Sequence, residues 1–294
     1  MRNFQTFIGI DWSGAKTPIH TKSIAVAITQ QASKSVELIQ SAKKANWSRS
    51  DVHDLLIEKA HTEKRTLVGI DCNFGYAQAV GEAQFGIGYN YQDLWAAVEQ
   101  SCCEDTNYFA GGFWTQPNYA PYFWTQGKQP EGFTMPRRVV EQACGEQGLG
   151  WPESPFKLIG AKQVGKGGLA GMRMALSLKQ HLGEKIAIWP FEQDKVDQAN
   201  LIISEIYPRQ FIKRAGLGHK KLDQNTLHQA LQNIGSYYFE NSERIDDHKA
   251  DAIITAAGLA AICGTEEAVH EHYTRPKGLT NYIAKTEGWI FGVK

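Results

Sequence analysis

Arg244-Ile245-Asp246-Asp247-His248-Lys249-Ala250-Asp251-Ala252-Ile253-Ile254-Thr255-Ala256-Ala257-Gly258-Leu259-Ala260-Ala261 is the stretch from which the rest of the chain can be read. Asp246 or Asp247 suits a helix cap, because a carboxylate there accepts from the free N–H groups of the first turn. From Ala250 to Ile262 the residues are almost all apolar and small, and a helix apolar on most sides is a buried one. Asp247 and Asp251 are spaced i, i+4 and share a face, which continues inward through Ile254 and Gly258. Two carboxylates are thereby set at the mouth of a buried helix. A half-buried acid needs a partner, and a divalent metal is one. The plainer reading has Asp247 capping the helix and Asp251 solvated in its first turns.

More acids stand where they can converge on that helix. Phe7-Ile8-Gly9-Ile10-Asp11 is an apolar run ending in Asp, and Leu67-Val68-Gly69-Ile70-Asp71 nearly repeats it. Leu201-Ile202-Ile203-Ser204-Glu205-Ile206-Tyr207-Pro208 is a third run with an acid near its end. Continuous apolar runs read as buried strands, and the sites of open α/β sheets lie beyond strand ends. Asp11, Asp71, Glu205, Asp247 and Asp251 are therefore candidates for one carboxylate cluster holding divalent cations.

Composition sets the limits. At 294 residues a sizeable core can form, and 42% apolar with 21% charged residues is ordinary for a globular protein. Lys plus Arg equals Asp plus Glu at 31 each, so any binding of nucleic acid needs a local basic patch. Neither a signal-peptide layout nor a membrane-length apolar run is present. Five cysteines without C-x-x-C spacing suit reduced thiols in the cytoplasm.

Taken in order, Gln5 to Asp11, Ser23 to Gln30 and Ser35 to Gln40 read as strands of an antiparallel meander. Ser50 or Asp51 opens an amphipathic helix, and Thr66 to Asp71 is the next strand. A helix over Tyr91 to Cys102 precedes an aromatic segment, Phe109 to Phe133, broken by Pro117, Pro121, Gly127 and Pro130. Such aromatics can stack bases or cover an insertion, and the cover is the favoured reading. Arg137 to Cys144 reads as a short helix with a basic start.

Gly160 to Gly167 misses a P-loop by one residue, since Gly167 stands where Ser or Thr should be. A glycine-rich helix start can still meet a phosphate; tight packing on the sheet is the favoured alternative. The helix is expected from about Gly168 to His181. Lys185 to Phe191 and Leu201 to Tyr207 are further strands. Arg209 to Ala215 and Leu222 to Ile234 are helices around a basic Gly216 to Lys221 loop, and Glu287 to Val293 reads as an extended tail. His270-x-His272 lacks a third zinc ligand, Cys72 suits a buried thiol better than a nucleophile, and no serine-hydrolase elbow or dinucleotide fingerprint occurs.

Gly9-Ile10-Asp11-Trp12-Ser13-Gly14, Gly69-Ile70-Asp71, Glu205-Ile206-Tyr207-Pro208 and Asp247-His248-x-x-Asp251-Ala252 occur in an order that resembles the predicted nucleases of domain-of-unknown-function family 429. The resemblance spans nearly the whole chain. It implies an RNase H-like α/β fold: a mixed five-stranded sheet, its first three strands antiparallel, flanked by helices. The whole chain, 1–294, would be one such domain with an aromatic-rich insertion at about 104–155.

By similarity to Holliday-junction resolvases and RNase H, Asp11 takes the first-strand role, Asp71 the fourth-strand role, and Asp247 and Asp251 the helix role. Glu205 is an additional acid of the family motif. Asp71 departs from the resolvases, which carry Glu there. The reaction implied is phosphodiester hydrolysis with Mg²⁺ or Mn²⁺ as cofactor, two ions standing roughly 3.5–4 Å apart. The partner is a nucleic-acid or nucleotide substrate, and Lys162, Lys166, Arg209, Lys220 and Lys221 are candidates for its phosphates. Two other readings stand beside this one. An actin-like or sugar-kinase-like ATPase shares a similar first phosphate turn, with Gly one position earlier than here. A non-catalytic binding module could keep the same fold.

Overall fold

Strand β1 (Thr6–Asp11) is buried from end to end, and the sheet is built outward from it. It pairs antiparallel with β2 (Ala25–Gln30), which pairs antiparallel with β3 (Ser35–Ile39). On its other side β1 pairs parallel with β4 (Thr66–Ile70), with Gly9 opposite Gly69 and Ile10 opposite Ile70. Beyond β4 lie β6 (Leu201–Glu205) and then β5 (Ile186–Trp189), both parallel to it, and β7 (Tyr237–Tyr238) adds to β3 at the far edge. The order is β5-β6-β4-β1-β2-β3-β7. The computed structural model describes residues 3–131, 133–160, 163–218, 223–238, 245–273 and 276–294. Within them the protein is α/β, with a mixed seven-stranded sheet flanked by helices.

The expectation of five strands is thus two short of the sheet. β5 was legible as an apolar run; β7 is two residues long, too short to leave a period-two signature. The meander was legible because β1 and β2 are near-continuous apolar runs and a polar turn separates β2 from β3.

The helices divide between the two faces. On one face lie α1 (Arg49–Ala60), α2 (Gln78–Phe85), α3 (Tyr91–Ser101), α4 (Gly111–Thr115) and α6 (Gly165–Leu182), where Ile8, Ile10, Val68, Ile70 and Ile203 pack on Leu56, Val98 and Met172. On the other, Phe7, Leu67 and Ile202 meet α7 (Pro208–Arg214), α8 (Gln224–Asn233) and α9 (Asp247–Ile262), joined by α5 (Val139–Glu146), α10 (Glu266–Tyr273) and α11 (Asn281–Thr286). Period-two alternation along β1 sends Phe7, Gly9 and Asp11 to the α9 face and Ile8 and Ile10 to the α6 face.

Local chemistry sets several boundaries. Helix α1 begins before Ser50 because Ser48 is its cap: the Ser48 hydroxyl accepts from Asp51 N–H at 3.1 Å, and the Asp51 carboxylate accepts from Ser48 N–H at 3.0 Å. Helix α6 starts at Gly165 rather than Gly168, since the glycines let its first turn press on the loops leaving β1 and β4. A Cβ on Gly168 would overlap the Asn73 side chain. The expected extended tail is preceded by α11, and its Phe291 N–H donates to the Glu205 carbonyl at 2.8 Å. No helix among the described residues is long and apolar enough to cross a membrane.

Candidate functional site

Asp11 is the last residue of β1, and Asp71 follows β4 directly. The Asp71 N–H donates to the Ile10 carbonyl at 3.0 Å, which carries the β1–β4 ladder one step further and sets the two acids side by side at the carboxyl ends of parallel strands. Helix α9 brings the rest. A Cβ on Gly9 would stand 2.6 Å from Ala256 N and closer still to the Ala252 carbonyl. Only glycine permits that approach. With α9 lying so close over β1, its first turns reach the strand end.

Asp246 caps α9, its carboxylate accepting from Lys249 N–H at 3.0 Å. His248 Nδ1 then meets Asp11 Oδ2 at 2.6 Å. Asp251, one turn further in, is half-buried, while Asp247 is exposed. These carboxylates act on one another. Burial first, and then the charges of Asp11, Asp251 and Glu205, push Asp71 well above the usual carboxylate range. Burial, with Asp11 and Asp247, pushes Asp251 up to about 7, against the opposing charges of His248 and Arg209. Burial raises Asp11 as well, although the His248 hydrogen bond works against it. The Asp11 hydrogen bond raises His248 in turn, so its imidazolium persists to higher pH. Neither Asp71 nor Asp251 has a hydrogen-bond or ion-pair partner among the described residues.

Glu205 sits differently. It shares the parity of Leu201 and Ile203, whose side chains enter the α6-side core. Both of its oxygens are held by Arg138, NH1 to Oε2 at 2.8 Å and NH2 to Oε1 at 2.5 Å. Arg138 also donates from Nε to Glu141 at 2.9 Å and from NH1 to the Glu287 carbonyl at 3.0 Å. Glu287 accepts from the N–H groups of Gln78 and Val139, both at 2.7 Å, and so ties the starts of α2 and α5 to the C-terminal segment. The Glu205 charge reaches Asp71, but its oxygens are spent on an internal cation.

Among the basic candidates, Arg209 lies in the first turn of α7 and its charge acts on Asp251. Lys166 lies in the first turn of α6, on the other side of the sheet. Lys162, Lys220 and Lys221 lie outside the described residues. The glycine-rich start of α6 serves close packing: a Cβ on Gly14 would overlap the Lys166 backbone, and Trp12 Nε1 donates to the Gly167 carbonyl at 3.0 Å. A groove of about 1050 Å³ runs along β2 and β3 from Lys22 and Trp47 to Asp246, Asp247 and His248 at the start of α9.

His248 and Arg138 carry roles that sequence reading did not assign. His248 stood inside the quoted motif, at a helical offset from Asp251 that brings it towards the same strand end. Arg138 gave no signal beyond its basic neighbour, because Glu205 and Glu287, two of its three partners, are far away in the chain.

The donor set suits a hard cation. Carboxylate oxygens are the ligands such ions prefer, and buried acids without partners are costly until one neutralises them. Among the described residues no three His, Cys, Asp or Glu side chains are already drawn together as a metal cage. A search of protein-family models, of curated proteins and of solved structures finds no match to this chain.

Proposed function

We propose that this chain is a metal-dependent phosphodiester hydrolase acting on nucleic acid, built on an RNase H-like plan. One observation carries the reading: Asp11 and Asp71 stand side by side at the carboxyl ends of β1 and β4, and Asp251 on α9 lies near enough for its charge to act on Asp71 and that of Asp11 to act on it. Asp11, Asp71 and Asp251 would hold Mg²⁺ or Mn²⁺, with Asp247 at the exposed rim. Such ions generate a hydroxide nucleophile at neutral pH and stabilise the leaving oxygen. The chain's own part is placement. Gly9 lets α9 bring Asp251 to the strand ends, His248 orients Asp11 through Nδ1, and Arg138 keeps Glu205 off the centre while leaving its field on Asp71.

The order of elements supports the RNase H-like plan. Three antiparallel strands precede α1, β4 returns parallel beside β1, and a late helix carries acids to the same end. β5 and β7 then extend a five-stranded centre at its two edges. A cytoplasmic setting goes with this reading and is supported by five unpaired cysteines.

The test is a cleavage panel in Mn²⁺ or Mg²⁺ with single-stranded, duplex and branched DNA, RNA, and ATP, run on wild type and Asp71→Asn. Metal-dependent cleavage of a polynucleotide, lost in the variant, is expected. Turnover of ATP alone would replace this reading with the ATPase one. No turnover, together with no Mn²⁺ binding by calorimetry, would leave a binding module.

A further inference from the structure

Most aromatics of the insertion are consumed in its own core. Phe113 stacks on Tyr119 at 4.2 Å, and Phe123 and Phe156 pack about Tyr76. Phe109 and Trp114 are used otherwise. Their rings meet edge to face at 5.5 Å and 86°, and both stay half-buried. A lysine lies over each: Lys16 Nζ is 5.4 Å from the centre of Phe109, and Lys166 Nζ is 5.7 Å from that of Trp114. The four residues come from three separate segments, namely the loop leaving Asp11, the insertion and the first turn of α6. Lys16, Phe109 and Trp114 line a depression of about 400 Å³, and Lys166 stands at the Trp114 ring. The same loop joins them to the acidic centre, since Gly14 packs on the Lys166 backbone and Trp12 donates to Gly167.

We infer that Lys16, Phe109, Trp114 and Lys166 form a binding platform for single-stranded nucleic acid on the α6 side of the sheet, joined to the acidic centre by the loop that leaves Asp11. This extends the reading of that centre as a nuclease by naming the substrate class. The chemistry is that of sequence-tolerant strand binding: an aromatic face accepts any base, and a flexible lysine swings from the ring to a phosphate. Duplex DNA keeps its bases stacked inside and offers this platform only its backbone. Two acids also line the depression. The Asp105 carboxylate accepts from Gly112 N–H at 3.1 Å, and Glu104 is exposed. They cap the electrostatic share of binding at the two lysines, so stacking carries the larger part.

The experiment is fluorescence anisotropy with labelled oligo(dT) of about 15 nucleotides, in EDTA so that metal-dependent cleavage does not interfere. Wild type is expected to bind with a salt slope of about −1.4, or about −0.7 for each neutralised phosphate. Trp114→Ala is expected to weaken binding about tenfold. Lys16→Ala, an exposed position that leaves folding alone, is expected to lower the slope by about 0.7. Lys277→Ala, a distant exposed lysine, should change neither. A matched duplex should bind more weakly and be indifferent to Trp114→Ala. Oligo(dT) binding absent in wild type, or unchanged in both Trp114→Ala and Lys16→Ala, would overturn the platform. Binding that follows this pattern without any cleavage in Mn²⁺ would instead overturn the nuclease reading and leave the platform standing.

Discussion

Two groups of carboxylates stand at the same end of the sheet, and they meet the cost of burial in opposite ways. Glu205 and Glu141 share Arg138, which is itself fully enclosed and gives each a direct charge-assisted hydrogen bond. Asp11, Asp71 and Asp251 have only the edge of His248 and the more distant charge of Arg209. Burial pushes Glu141 up to about 7 even beside its arginine. Asp71, without one, is pushed well above the usual range. The protein neutralises one group of buried acids with an internal cation and leaves the other with less opposing charge. The arginine-held group is structural cement between β6, the insertion and the C-terminal segment; the other, in which only Asp11 has a direct side-chain partner, is the candidate centre.

The contrast can be broken most sharply by exchanging charge for amide in each group. Asp71→Asn is expected to lower metal-dependent cleavage by about 10³-fold or more, equivalent to about 4 kcal/mol at the transition state, with the fold retained. Glu205→Gln is expected to keep at least about a tenth of the rate, a loss within about 1.4 kcal/mol. Equal loss in both would make Glu205 a member of the centre and erase the distinction.

Stability should divide the other way. Arg138→Met leaves Glu205 and Glu141 buried without a cation, and breaking such a pair costs about 3–5 kcal/mol, read by urea denaturation. If the loss is under about 1 kcal/mol, the arginine-held group is not the structural element described here.

Divalent ion should act on the group of Asp11, Asp71 and Asp251 alone. Mn²⁺ at about a hundred times its Kd is expected to stabilise wild type by about 2.7 kcal/mol, seen as a rise in Tm. Asp11→Asn should abolish the rise and Glu205→Gln should keep it.

The smallest effect is on pH. Asp251 rises from 3.8 to about 7 on folding, so the folded protein holds a proton that the unfolded chain releases in that window. Its contribution is complete below 3.8 and is lost as pH rises through about 7. His248, raised from 6.5, gives the same sign above that value. In EDTA the Tm should therefore fall as pH rises from about 4 to 8. Asp251→Asn should flatten that fall and gain on the order of 1 kcal/mol at the alkaline end. A Tm that rises with pH, with or without Asp251→Asn, would contradict the picture of unneutralised acids.

The strands and α9 were legible because burial on both sides leaves continuous apolar runs, and a small-residue helix announces its own enclosure. Asp251 one turn inward of Asp247 follows from spacing alone, whereas the choice of Asp246 over Asp247 as cap came from the structure. Glu205 shows the limit of such reasoning. Its run resembles those of Asp11 and Asp71, yet its parity in β6 and the reach of Arg138 remove it from their company. The aromatic segment shows the limit again. Its sequence favoured a cover over a stacking surface, and the chain buries Phe113 and Phe123 while leaving Phe109 and Trp114 half-buried under lysines.

What the sequence by itself determined is the six longer strands, the longer helices such as α1, α3, α6 and α9, and which strands end in acid, because those depend on repeating patterns; the short α2, α4, α10, α11 and β7 left too little pattern to read. Which acids gain a buried cation and which do not was decided only by the tertiary structure. That outcome depends on where a buried guanidinium lies and on how closely α9 approaches Gly9, and both are set by contacts between residues distant in the chain.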